Sequence, residues 1–422
     1  MTTTLRVPAH RDSTRHVQAI YPFVFSRGLG GDGVYIGNEA LGGAFVYDPF
    51  VLYGQVPRVL SNPNMLVVGD VGVGKSSLVK TYLYRQALFG RTCWIVDPKG
   101  EYAPLATALG TRPIQLGPGS SVRLNPLDPG PHETDPAEGR RQRSGLLAAL
   151  GATVLGRPLS PQETAACDHS LDRLESNGGV ATLPAVAEAV LWPDPADAER
   201  LNTTPEDHAE ATRDLGLALR QLCQGHLAGV FDDTTTPGMD LNGACVVLDL
   251  SRLRDSQAAG LLMLCATRWL TTALLTPDAR RRLIVIDEAW RLIAEPAIAR
   301  WLQATWKLCR AYGAANVAVL HRVTDIDAAG HAGSEQVAIA KGLIADCGTQ
   351  VLYRQERDAV RALRTVIDLP DAVAERLPQL PAATAVWRVA GRTYEVTHRR
   401  SPAELALTDT DHAMTTTTRE EQ

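Results

Sequence analysis

The sequence predicts an α/β fold: a parallel sheet flanked by helices, carrying an all-α insertion and small β elements toward both ends. Three observations predict it. The run at residues 65–68 is fully apolar, as expected of a strand buried on both faces, and strand-like runs recur at 92–96, 244–250, 283–286, 316–320 and 350–353. Helix-period segments separate most of them, as crossover connections in a parallel sheet require. The stretch from 140 to about 227 is rich in Ala, Leu, Arg and Glu at helical spacing, which marks the insertion.

Residues 1–20 are polar and expected to be disordered. Residues 21–64 alternate glycine-rich turns with β-like pieces at 33–36 and 44–47, a small β preamble packed on the core. After the 65–68 strand and a glycine-rich turn, residues 76–89 read as a helix. Val79, Leu83 and Ala87 recur every four residues, Leu78 and Tyr82 widen the stripe, and Gly90 stands where a C-cap belongs. The 92–96 strand ends in Asp97. Past Leu124-Asn125-Pro126-Leu127, a Pro/Gly/acidic linker at 129–138 leads into the insertion, whose turn signals are 176–179 and the WPDP at 192–195. Strands 384–389 and 393–396 flank Ala390-Gly391-Arg392 as a hairpin, and 403–422 reads as a disordered tail. The expected division is therefore a first part of the sheet domain at 21–130, the insertion at 131–236, and the second part at 237–402.

Of the 422 residues 45% are hydrophobic and 21% charged, with a net charge of −5, an ordinary soluble composition that gives no support to a globally basic nucleic-acid binder. The seven cysteines stand singly without a CxxC pair, which favours buried free thiols in a reducing compartment over disulfides or zinc. The N-terminus has no apolar core of a secretory signal, and the apolar runs fall short of the roughly 20 residues that span a bilayer. A cytoplasmic chain that meets a membrane only through partners is expected.

Gly69-Asp70-Val71-Gly72-Val73-Gly74-Lys75-Ser76 fits G-x-x-x-x-G-K-[ST] in the required context, a buried strand before and an amphipathic helix after. Glycines let successive N–H groups curl toward phosphates, and the helix adds its positive end to the same anion. Residues 69–77, ending in Ser77, are thus a P-loop for ATP, with Lys75 reaching the β- and γ-phosphates and Ser76 ligating Mg²⁺. The 283–286 strand runs directly into Asp287 and Glu288. In this chemistry the first acid holds Mg²⁺ and an adjoining glutamate polarises the attacking water, so both together point to hydrolysis. Asp249 and Asp97, with Glu101 four residues on, are rivals without an adjacent second acid.

These elements resemble the conjugative type IV secretion ATPases of the HerA/FtsK superfamily of hexameric pumps. The carriers are GDVGVGKSS at 69–77, VDPKGEY at 96–102, LNPL at 124–127, VIDEAW at 285–290 and VLHRVTD at 319–325, across about 21–402. The resemblance implies a RecA-like ATPase turning over Mg·ATP in a ring, with the membrane components of a secretion channel as partners. The tryptophan after Asp-Glu-Ala is typical of the energising, assembly ATPase. DPKGEY is closer to the coupling ATPases, which would make DNA a partner. Coupling proteins normally carry N-terminal membrane helices, and none is visible. Only about sixty residues precede the P-loop, where relatives usually have a substantial domain, which is expected to be either missing or supplied by a separate protein. The sensor that closes the 316–320 strand is usually glutamine and is His321 here, which would make the contact pH-sensitive. The family's trans-acting arginine maps best to Arg310, with Arg354 and Arg357 as competitors. The clusters Arg140-Arg141-Gln142-Arg143 and Arg280-Arg281-Arg282 read as solvated faces rather than phosphate contacts.

Overall fold

A computed structural model describes residues 26, 28–117, 119–129, 135–226, 228–239, 243–253, 259–273, 280–289, 299–300, 302–303, 306, 312–321 and 335–408. Eleven strands form one sheet: β1 (Val34–Glu39), β2 (Ala44–Tyr47), β3 (Met65–Val68), β4 (Thr92–Asp97), β5 (Ile114–Gln115), β6 (Cys245–Asp249), β7 (Arg282–Ile286), β8 (Ala314–Leu320), β9 (Thr349–Tyr353), β10 (Thr384–Val389) and β11 (Arg392–His398). Their spatial order is β2-β1-β11-β10-β9-β3-β8-β7-β4-β6-β5. From β9 to β5 every pairing is parallel, while β10, β11, β1 and β2 continue the sheet antiparallel.

The central strands are mainly apolar because both faces are covered. On β3, Leu66 and Val68 enter one buried cluster and Met65 and Val67 the other. Period-two alternation of the backbone sends neighbours to opposite faces, so neither face can be polar.

Helices α1 (Pro49–Gly54), α2 (Lys75–Leu88) and α3 (Ala103–Ala108) precede β5. Between β5 and β6 lie α4 (Pro136–Leu155), α5 (Pro161–Ser176), α6 (Leu183–Leu191), α7 (Pro195–Arg200) and α8 (Pro205–Gln221). Local chemistry starts each of them. Asp135, Ser160, Thr182, Asp194 and Thr204 accept hydrogen bonds from first-turn amides, with proline in the first turn where its missing N–H costs nothing. Leu146, Leu150, Leu171, Val186 and Leu219 of this helical segment share one continuous buried cluster with Val68, Trp94 and Ile284 of the sheet.

Three features differ from the sequence reading. The β preamble is not a separate layer: β1 pairs with β11 and so extends the main sheet. Two residues, Ile114 and Gln115, form an edge strand too short to leave a periodic signal. The chain is helical over Pro402–Thr408, α13 after α9 (Ala259–Ala273), α10 (Glu335–Ala345), α11 (Arg357–Val366) and α12 (Asp371–Arg376), where a disordered tail is expected. Tertiary contacts order it. Glu404 receives both a 2.6 Å bond from Arg85 Nε on α2 and the Ser401 N–H, and Leu407 is buried. Residues 1–20 and 409–422, also expected to be disordered, lie outside the described residues, as do residues 21–25 of the β preamble. Among the described residues no helix is long and apolar enough to cross a membrane, and the six described cysteines are buried and unpaired.

Candidate functional site

Residues that follow the carboxyl ends of the parallel strands β3, β8 and β4 line one cleft of about 450 Å³, and β7 runs between β8 and β4. This is the edge of a parallel sheet where ligands are generally held. Gly74, Lys75, Ser76, Lys99, His321 and Arg400 are among its lining residues.

The glycine-rich turn leaves β3 and ends at α2, whose N-cap is Gly74 with φ 110° and no side-chain cap. The first-turn N–H groups therefore face the cleft without an internal partner from a capping side chain. Gly72, at φ 77°, is the other left-handed position. The turn is braced from behind. Asp70 N donates to Arg354 O at 3.0 Å, Ala383 N donates to Val73 O at 3.0 Å, and Tyr353 packs beneath Gly69 so closely that no side chain fits there. The Lys75 ammonium donates to Gly69 O at 2.6 Å and Asp70 O at 2.7 Å. It is buried, and burial together with the Lys99 charge lowers its pKa to about 8 against the opposing pull of Asp287, Glu288 and Asp70. Ser76 is half-buried in the cleft wall, and the Ser77 hydroxyl is buried without a hydrogen-bond partner among the described residues.

Asp287 and Glu288 follow β7 and are both buried. Asp287 accepts from Glu288 N at 3.0 Å and from the Tyr102 hydroxyl at 3.3 Å. Burial pushes its pKa up to about 6, opposed by Lys99 and reinforced by Glu288 and Asp97. Glu288 holds a left-handed backbone, φ 54°, unusual for a residue with a side chain. The following residue is anchored by Ala289 N donating to Val319 O. Glu288 Oε1 meets two groups: the Lys99 ammonium, in an ion pair, and His321 Nε2 at 2.6 Å. An ionised carboxylate only accepts, so the proton of this contact sits on Nε2. The Lys99 ammonium stands 3.1 Å from the same nitrogen. His321 Nδ1 is buried without a hydrogen-bond partner among the described residues.

The geometry separates the acidic candidates. Asp97 is wholly buried and its Oδ1 accepts from Lys99 N (3.1 Å) and Gly100 N (2.8 Å), while Oδ2 accepts from Tyr102 N (3.0 Å). Asp249, its register partner on β6, accepts from Ser251 N. Both carboxylates are spent on holding loops. The Asp97 loop delivers Lys99 to the cleft, a residue that sequence reasoning did not single out. Its signal lay in the DPKGEY that follows β4.

Arg310 lies outside the described residues, as do Trp290 and Trp301. Arg354 and Arg357 are exposed, and neither is among the residues that line the cleft. The basic clusters, expected to be solvated faces, are so only in part: Arg141, Arg280 and Arg281 are exposed, whereas Arg143 and Arg282 are buried. Arg140, Arg141 and Arg143 pair with Asp172, Glu138 and Glu175, while Arg282 is buried with its guanidinium 5.5 Å from the Trp94 ring centroid.

Ser76 and Asp287, the residues expected to meet Mg²⁺, offer one hydroxyl and one carboxylate. Among the described residues no group of three or more His, Cys, Asp or Glu could hold a metal. One carboxylate and one hydroxyl leave the remaining positions to phosphate oxygens and water, the manner in which Mg²⁺ accompanies nucleotides.

Comparison with models of protein families gives no match, and comparison with curated proteins gives none. Solved structures do match. VirB4 of Thermoanaerobacter pseudethanolicus superposes with a TM-score of 0.71 at 21% identity, over 89% of this chain and 99% of that one. The bacterial conjugative coupling protein TrwB, as an unbound form lacking 70 N-terminal residues, gives 0.58 at 16% identity over 87% and 89%. TrwB in complex with ADP and Mg²⁺ gives 0.52 at 18% identity over 80% and 83%. At these identities the likeness establishes the shared fold, a P-loop α/β sheet flanked by helices.

Proposed function

We propose that the chain is a Mg²⁺-dependent ATPase, a motor subunit of a conjugation-type secretion apparatus that works as a ring. One observation carries the reading. A buried lysine ammonium rests on the carbonyls of its own glycine-rich turn at a helix N-terminus, within the electrostatic reach of the adjacent Asp–Glu pair that follows β7, one strand beyond the neighbouring β8.

In this reading the turn at residues 69–77 takes the triphosphate. Lys75 exchanges the Gly69 and Asp70 carbonyls for β- and γ-phosphate oxygens, the amides of the turn and of the first turn of α2 donate to the same anion, and Ser77 offers its unpartnered hydroxyl. Ser76 and Asp287 hold Mg²⁺, which when bound neutralises charge on the phosphates. Glu288 takes a proton from water as the water oxygen bonds to the γ-phosphorus. The bond from that phosphorus to the bridging oxygen breaks, and ADP leaves with its electron pair. His321 orients the Glu288 carboxylate through its Nε2–H.

Isothermal titration with Mg·ATP, followed by a phosphate-release assay on the same sample, tests this. Wild-type protein takes up Mg·ATP and hydrolyses it, whereas Lys75→Ala takes up none. No uptake by folded wild-type protein sinks the proposal.

The fold shared with VirB4 supports an energising subunit that works with the membrane components of a channel. The likeness to TrwB and the Lys99 loop favour a second reading, a DNA-translocating coupling ATPase. Strong stimulation of hydrolysis by DNA decides for the second, and indifference to DNA for the first. The mass of the assembly with and without ATP tests the ring.

A further inference from the structure

Glu288 is placed to activate water, yet here its Oε1 is already occupied. The Lys99 ammonium and the His321 Nε2–H both point at this one oxygen. A carboxylate oxygen that accepts from a cation and an imidazole has little lone-pair capacity left, and its charge is largely compensated. As arranged, the site binds no water productively at that oxygen.

The three partners differ in freedom. Glu288 is almost fully buried and its backbone is fixed by a left-handed φ and by the Ala289 tether to β8. His321 sits directly at the end of β8. Lys99 has a backbone clamped by Asp97, and Gly100 beside it, at φ 74°, admits no side chain because Ser251 Oγ would lie 2.9 Å from its Cβ. Its side chain, however, is 36% exposed and lines the same cleft as Lys75 and Ser76. This four-carbon stem is the most exposed of the three side chains and can move without disturbing a strand. The cleft therefore presents two ammonium groups, one resting on the turn and one resting on Glu288.

We propose that Lys99 detects the terminal phosphate: a γ-phosphate in the cleft draws its ammonium away from Glu288, so that Oε1 of the glutamate loses its ion pair and can accept from water when a triphosphate is bound. The proposal deepens the ATPase reading and rests on it. A diphosphate, seated over Lys75 and Ser77, leaves Lys99 on Glu288. Lys99 is thus a residue that binds the substrate's last phosphate and, through the broken ion pair, positions the base.

The discriminating quantity is the ratio of affinities for Mg·ATPγS and Mg·ADP, measured by calorimetry without turnover. Lys99→Met keeps the stem and removes the charge. It is expected to weaken Mg·ATPγS by at least about tenfold, the effect of one charge-assisted contact, while leaving Mg·ADP affinity unchanged. Lys99→Arg, which keeps the charge, is expected to retain most of the preference for triphosphate. Glu288→Gln, which frees the ammonium in advance, is expected to bind Mg·ATPγS more tightly than wild type. Unchanged Mg·ADP binding also reports an intact fold. If Lys99→Met keeps the wild-type ratio, or weakens both nucleotides equally, the inference is overturned while the ATPase reading stands. If wild-type protein binds neither nucleotide, both fall.

Discussion

Replacing Gly69 with alanine probes how tightly the phosphate-binding turn is fixed to the sheet. A Cβ at this position would lie 2.4 Å from Tyr353 Cβ and 3.2 Å from Tyr353 Cα, on the neighbouring strand β9. Neither atom can rotate away, because both belong to the backbone frame of a buried residue. Ordinary carbon contact needs about 3.5 Å, so the turn must lift by roughly 1 Å. Overpacking of this kind costs about 1–3 kcal/mol of stability. The lift also stretches the Asp70–Arg354 hydrogen bond and carries the turn's amides with it. A displacement near 1 Å at a reacting group costs about 100-fold in turnover. Urea unfolding monitored by tryptophan fluorescence gives the first quantity and steady-state phosphate release the second. Gly72→Ala is the comparison: it meets open space and bears only the left-handed strain, about 1–2 kcal/mol. Wild-type unfolding and wild-type turnover in Gly69→Ala would refute the close-approach reasoning.

Other perturbations have equally definite outcomes. Glu288→Gln should retain Mg·ATP but lose about 10²- to 10⁴-fold in single-turnover hydrolysis, the range a general base supplies; wild-type turnover would remove Glu288 from the role. His398 is buried against Thr81 Oγ1 at 2.8 Å, and burial with the nearby Arg85 and Arg400 charges lowers its pKa to about 4. The unfolded chain binds this proton near pH 6.5 and the folded one does not. Stability is therefore full above pH 6.5 and falls by roughly 3 kcal/mol as the pH drops toward 4. His398→Gln should flatten that part of the pH–stability curve measured by urea titration. Mixing Arg310→Ala subunits with Lys75→Ala subunits should restore some activity if Arg310 acts across the interface, and absence of rescue removes it.

Much of this protein was legible along the chain. Met65–Val68 and Leu283–Ile286 declare themselves because a strand buried on both faces has no room for polar residues. The turn at 69–76 is a local device whose spacing specifies its backbone, and the prolines behind Asp135, Ser160 and Thr204 announce helix starts. Those signals depend on residues within a few positions of one another. What only the tertiary structure decided involves residues distant in sequence. Sheet order brings β4 beside β7 and β7 beside β8, and so sets Lys99, Glu288 and His321 around one oxygen. The same cause explains why β1 and β2 join the main sheet through β11, and why residues beyond Pro402 become helical on Arg85. It also gives Asp97 the task of holding a loop, where its position at a strand end resembled that of a metal ligand. Periodicity and motif spacing encode which elements form. Which side chains meet across the sheet depends on strand order, and no local pattern records it.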